Sequence, residues 1–112
     1  MRGVNRITLV GNLGDVPVMR SLESNLKVAR CKLATTEVFR NKTGETSSST
    51  QWHTVLFYNS LAELAASYLQ KGHLIYVEGK IRYRSYENKS AITCYVTEIL
   101  AESFIMLNKP ER

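Results

Sequence analysis

An all-β fold with a single helix is the architecture this 112-residue chain predicts, on three observations. Polar and apolar residues alternate in five separate stretches, as strands with one buried face require. One further stretch repeats its apolar residues at helical spacing. That helix falls between the third and fourth alternating stretches.

Residues 5–13 (Asn-Arg-Ile-Thr-Leu-Val-Gly-Asn-Leu) form the first alternation, with Ile7, Leu9 and Gly11 on one face. Gly11 and Gly14 predict a bend that carries one strand round a corner, and Pro17 limits pairing just beyond. Gly11-Asn-Leu-Gly14 is not a phosphate loop, because no Gly-Lys-Ser or Gly-Lys-Thr follows. Residues 27–37 place Ala29, Cys31, Leu33 and Thr35 on one face and Val28, Arg30, Lys32 and Ala34 on the other, so cations occupy the polar side. Phe39 follows among cations, and the polar run 41–50 reads as a mobile loop.

In residues 51–58, Trp52, Thr54, Leu56 and Tyr58 oppose His53, Val55 and Phe57. Bulk on both faces calls for a subunit interface or a ligand beside the chain's own core. His53 reads as an inward or interface histidine rather than a catalyst. The helix is expected over 60–71, with Leu61, Leu64, Ala65, Tyr68 and Leu69 as its apolar stripe. Ser60 and Glu63 have capping-box spacing, and Gly72 suits the position after the last turn. Residues 74–86 split into a core set of Ile75, Val77, Gly79, Ile81 and Tyr83 and an outer set of Tyr76, Glu78, Lys80, Arg82, Arg84 and Tyr86. A polar connection at 87–90 leads to a fifth strand over 91–100, and 104–107 adds a terminal apolar piece.

Strand, strand, strand, helix, strand, strand is the order of the OB-fold, a five-stranded Greek-key barrel capped by that helix, whose second and third strands commonly hold oligonucleotides. One domain is expected over 1–108, with a short end at 109–112. Fifteen Lys and Arg against ten Asp and Glu give a net charge of +5, which steers in a polyanion without proving one. No apolar run is long enough to span a membrane, and the first residues lack a signal peptide's apolar core, so a cytosolic protein is expected. Cys31 and Cys94 form no CxxC and read as small hydrophobes.

The cationic stripe on 74–86 admits two readings. Lys and Arg commonly solvate an exposed strand and protect it from mispairing. Together with the aromatics on other strands, the stripe also matches what a nucleic-acid single strand needs. Bases expose π faces that any aromatic can stack on, and phosphates need a track of cations. Lys32, Lys80, Arg82 and Arg84, with Arg2 and Lys71, are the candidates for that track.

The segments 2–14 (Arg-Gly-Val-Asn-Arg-Ile-Thr-Leu-Val-Gly-Asn-Leu-Gly), Leu33-Ala-Thr35, Gln51-Trp-His53, Leu61-Ala-Glu63, Tyr68-Leu-Gln-Lys-Gly72 and Ile75-Tyr-Val-Glu-Gly79 resemble the bacterial single-stranded DNA-binding protein family over nearly the whole chain. The resemblance implies an OB-fold, usually a homotetramer with a dimer as the alternative, that wraps and protects single-stranded DNA in replication, recombination and repair. It implies no sequence preference, no catalysis, no cofactor, no metal and no membrane, and a cytoplasmic, nucleoid-associated location. It places DNA-stacking aromatics at Trp52, Phe39, Tyr58 and Tyr86, the last three standing where other aromatics, often tryptophan, are frequent. Members typically continue into a Gly-rich tail with an acidic tip that recruits replication proteins. This chain ends at Asn108-Lys-Pro-Glu-Arg112, so no tip-mediated recruitment is expected from it. Its turn Ser24-Asn25-Leu26 also lacks the glycines often found there.

Assembly through the first strands is expected, with Val4, Ile7 and His53 near the contact, because an unpaired strand edge invites pairing. Three other readings stand beside this one. A primosomal replication protein N-like dimer shares the fold, but the Trp52-His53 block and the order of aromatics argue against it. A small nuclease would need an acidic metal cluster or a nucleophile with a histidine partner, and the sequence displays neither. A protein-binding OB module would use the same aromatic face on a different partner.

Overall fold

The computed structural model describes residues 2–108, in which the alternating stretches form six strands: β1 (Ile7–Leu13), β2 (Val18–Ser21), β3 (Lys27–Arg40), β4 (Thr46–Tyr58), β5 (Leu74–Glu87) and β6 (Thr93–Met106). One helix, α1 (Ser60–Tyr68), lies between β4 and β5. The sheet runs β1-β5-β6-β4-β3, and β3 pairs back onto β1 at Asn12↔Ala34 and Leu13↔Leu33, which closes a five-stranded barrel. All pairings are antiparallel except β4 with β6 (Val55↔Ile99, Leu56↔Leu100). This is the OB-fold. The short end expected at 109–112 lies outside the described residues.

Glycines make the closure possible where backbones cross. A Cβ on Gly11 would come 2.2 Å from the Ala34 carbonyl oxygen, and one on Gly79 would come 2.1 Å from that of Leu100. Gly79 also follows the register shift at Glu78/Gly79 that bends β5. The inward set of each strand then fills the barrel: Leu13, Ala29, Cys31, Leu33, Val55, Phe57, Ile75, Val77 and Ile99 are buried together, with Ala62, Ala65 and Leu69 from α1 and its end. Phe57 meets Phe104 edge to face at 5.2 Å between centroids. Each fully buried large side chain, Phe57, Leu33 and Ile75 among them, stabilises the barrel by about 1.5–3 kcal/mol.

Several expectations are corrected. The polar run 41–50 is not one mobile loop: β3 and β4 stay paired out to Arg40↔Thr46, so only a tight turn separates them. Asn41 builds that turn, its Oδ1 accepting from the amides of Thr43 and Glu45, with Gly44 at φ 86°. The separate pieces 91–100 and 104–107 are one strand, β6. Strand pairing lapses over residues 14–17, as expected around Pro17, and a further short strand, β2, then takes up pairing with β3 from Val18.

The helix ends at Tyr68, and it buries Ala62 and Ala65 while Leu64 and Tyr68 are exposed. Of the expected stripe, Leu61, Ala65 and Leu69 face the core, and the small Ala62, rather than Leu64 or Tyr68, completes that face and lets α1 sit close against β3 and β4. The capping box does not form: Asn59, at φ 55°, is the N-cap without a side-chain bond, and Glu63 pairs with Lys27 instead. Gly72 belongs to a separate turn, its amide donating to the Leu13 carbonyl at 2.8 Å. Tyr83 is 75% exposed rather than core, since β5 and β6 run on past the barrel as a two-stranded ribbon.

Candidate nucleic-acid interface

Strand alternation puts Arg30, Lys32 and Ala34 of β3 on the outer face, opposite Leu56, Thr54 and Trp52 of β4. On the neighbouring ribbon Arg82, Arg84 and Tyr86 of β5 stand opposite Glu98, Val96 and Cys94 of β6. Between these two surfaces and β2 lies a groove of about 740 Å³. Val18, Val28 and Leu56 line it with apolar surface, and Arg20, Arg30, Arg82, Arg84, Tyr58 and Tyr86 line the rest. Four guanidiniums against the single carboxylate of Glu98 leave the groove cationic.

Glu98 is 3% exposed and is held from both sides. Arg84 donates Nε to Oε1 at 2.9 Å and Nη2 to Oε2 at 3.0 Å, and Arg82 donates Nη2 to Oε1 at 2.9 Å. Hydrogen bonds from Arg84, then Arg82, hold the Glu98 carboxyl below the usual carboxylate range, against the opposing effect of its burial. Arg82 also reaches the Tyr58 hydroxyl at 3.3 Å, and the Arg84 guanidinium carbon lies 5.7 Å from the Tyr86 ring centre. Tyr58 and Tyr86, far apart in sequence, are thereby joined through two arginines and one carboxylate.

Of the residues singled out from sequence, Tyr58, Tyr86, Arg82 and Arg84 meet in this groove. Lys32 and Trp52 extend the same outer face along β3 and β4, where Lys32 Nζ donates to Thr54 Oγ1 at 2.9 Å and Trp52 is 59% exposed. Phe39 is exposed but, by register opposite Ser47, lies on the other face of the β3–β4 ribbon from Trp52. Lys80, opposite Leu100, and Lys71, in the turn after α1, are exposed outside the groove, as is Arg2 ahead of β1. Arg20 and Glu98 were missed. Arg20 sits on β2, a strand too short for its alternation to stand out, and Glu98 looks like any charged residue until the register sets it opposite Arg82. Arg30 was legible as a cation on the polar face of its strand.

At the expected subunit contact, His53 is half-buried on the inner side, with Nε2 2.8 Å from Thr35 Oγ1, and burial lowers its pKa. Ile7 packs against the core, and Val4 is 94% exposed. Over Ile7–Gly11, one edge of β1 pairs with β5 and the other has no strand partner among the described residues.

The sequence profile of the Single-strand binding protein family matches residues 4–107. The chain belongs to that family. Curated relatives called single-stranded DNA-binding protein are 42% identical in Xylella fastidiosa and 39% identical in Xanthomonas campestris, each over 95% of this chain. The matched region spans 65% and 62% of those relatives' own lengths, less than two thirds of each. Among solved structures, the chain is similar to Plasmodium falciparum SSB in complex with single-stranded DNA, with a TM-score of 0.88 and 32% identity, covering 96% of this chain and 98% of that one. It is also similar to a deletion mutant of the Thermus aquaticus single-stranded DNA-binding protein, with a TM-score of 0.82 and 30% identity, covering 96% of this chain and 52% of that one. Among the described residues, no helix is long and apolar enough to cross a membrane.

Proposed function

We propose that this chain binds single-stranded DNA without sequence preference, coating and protecting it during replication, recombination and repair, as a non-catalytic protein of the cytoplasm. The observation that carries the reading is the groove itself, where Tyr58 and Tyr86 stand among Arg20, Arg30, Arg82 and Arg84 with Val18, Val28 and Leu56. Aromatic rings supply stacking surfaces indifferent to base identity, and the cations neutralise phosphates. The likeness to a solved relative in complex with single-stranded DNA supports the same ligand. Trp52 and Lys32 extend the path along β3 and β4, and Phe39, Lys80, Lys71 and Arg2 serve a strand that continues round the barrel.

The chain acts as a homo-oligomer, a tetramer by family resemblance. The unpaired edge of β1 supports this, since such an edge templates pairing with a second copy. So does an outer row on β1, β5 and β6, where exposed Val10 lies opposite half-buried Tyr76 and Tyr76 opposite exposed Ile105. His53, Val4 and Ile7 lie at or near the contact.

Fluorescence anisotropy with labelled single-stranded DNA, single-stranded RNA and duplex DNA at several salt concentrations tests the reading. Single strands should bind far more tightly than duplex, with a log–log salt slope of about −2 to −3 per subunit for three or four phosphate contacts. Equal binding of duplex, or affinity insensitive to salt, would show the groove serves another ligand.

A further inference from the structure

We propose that Arg84 is a base-stacking surface rather than a phosphate arm, and that Glu98 is the positioning residue that holds it so. The proposal rests on the single-strand reading above and deepens it. Arg84 meets Glu98 fork to fork, through Nε and Nη2 on both carboxylate oxygens, and two parallel bonds of that kind fix the plane of a guanidinium. Its guanidinium carbon lies over the Tyr86 ring, 5.7 Å from the ring centre, and Arg84 and Tyr86 both remain about half exposed. A planar cation fixed against an aromatic ring can take a nucleobase on its open face.

A phosphate would need something else from Arg84. Glu98 occupies the Nε–Nη2 edge, so a phosphate is confined to the outer Nη1–Nη2 edge, and one that took the Nε–Nη2 edge would leave a 3%-exposed carboxylate short of partners. An unpaired buried charge is strongly disfavoured. A base stacking on the guanidinium face breaks none of these bonds. The charge balance agrees: Arg82, Arg84 and Glu98 together carry one net positive charge, so the cluster attracts phosphate no more than a single free arginine. Arg20 and Arg30 line the same groove, and no ion pair to a carboxylate is formed by either among the described residues. They are the groove's phosphate contacts.

The test compares an oligothymidine with an abasic strand of the same length, for the unaltered chain, Arg84→Lys and Glu98→Gln. Arg84→Lys keeps the charge but loses the fork and the plane. It should lower the ratio of thymidine to abasic affinity about tenfold, the loss of roughly one stacked base, while abasic affinity stays within about twofold. Glu98→Gln should lower the same ratio and steepen the salt slope by about 0.7, because a freed guanidinium gains a phosphate. An unchanged ratio in Arg84→Lys, with the abasic strand weakened instead, would make Arg84 a phosphate arm and overturn the proposal. Failure of the unaltered chain to bind either strand would overturn the single-strand reading itself, a result distinct from the first.

Discussion

The indole of Trp52 rests on Gly14: a Cβ added to residue 14 would lie 2.6 Å from Cζ3 and 3.0 Å from Cη2 of the ring. Gly14 is itself fixed, its amide donating to the Lys32 carbonyl at 2.9 Å. The bend after β1 thus supports an exposed aromatic on β4. Gly14→Ala should displace the ring without unfolding the barrel, since the obstructing atoms end a side chain open to solvent. Trp52 is the only tryptophan, so a shifted emission maximum with a melting temperature within a few degrees of the parent would show this. An unaltered emission spectrum would mean that the ring does not depend on Gly14.

Gly11 and Gly79 face backbone rather than a yielding ring, and backbone at the crossing of paired strands has nowhere to go. Gly11→Ala or Gly79→Ala should each cost about 3 kcal/mol or more in denaturant titrations, at the upper end of ordinary overpacking. Gly3, with open space around it, is the control and should tolerate alanine with no measurable change.

The two ribbon tips share one turn. Asn41 Oδ1 accepts from the amides two and four residues on, and Asn88 Oδ1 does the same with Ser90 and Ile92. The left-handed residue is Gly44 in the first turn and Ala91, at φ 60°, in the second. An L side chain held in that region costs about 1–2 kcal/mol, so Ala91→Gly should stabilise the chain by up to about 1 kcal/mol after the glycine's own entropy loss. A lower denaturation midpoint would contradict the turn geometry.

Acidification should act first through His53. Burial lowers its folded pKa, so as pH falls the unfolded chain takes up a proton before the native one does. The associated stability is whole above about pH 6.5 and is lost as pH falls from there toward the lower folded value. Glu98, also lowered, loses its contribution only below about pH 4.3, so melts between pH 7.5 and 5.5 separate the two. The parent should melt lower at pH 5.5, and His53→Gln should flatten that dependence. A flat parent profile would place His53 in water.

Much of this was legible in the residues. Alternation located every core strand, because Ala29, Cys31 and Leu33, or Val55 and Phe57, have to face one way. What alternation cannot show is where a ribbon leaves the barrel, and that is why Tyr83, in phase with Val77 and Ile81, was expected inside. The 41–50 run has a loop's composition, yet it pairs because β3 gives it a template and Asn41 closes the turn. Helical spacing found α1 but chose Leu64 and Tyr68 over Ala62, since close packing selects small residues where a hydrophobicity pattern favours large ones. The aromatics and cations of the groove were visible singly. Their joining through Glu98 depends on the β5–β6 register, which no local pattern encodes.

The central claim is that the outer face of β3 and β4, continuous with the Tyr58–Tyr86 groove, holds a single strand of DNA. The most direct measurement is Trp52 emission during titration with an oligothymidine and with a duplex of equal length. Stacking on a base should quench the emission strongly with the single strand and weakly with the duplex, and Trp52→Ala should weaken binding by about 1–3 kcal/mol. Unchanged emission at saturating single strand would put the ligand elsewhere and contradict the account.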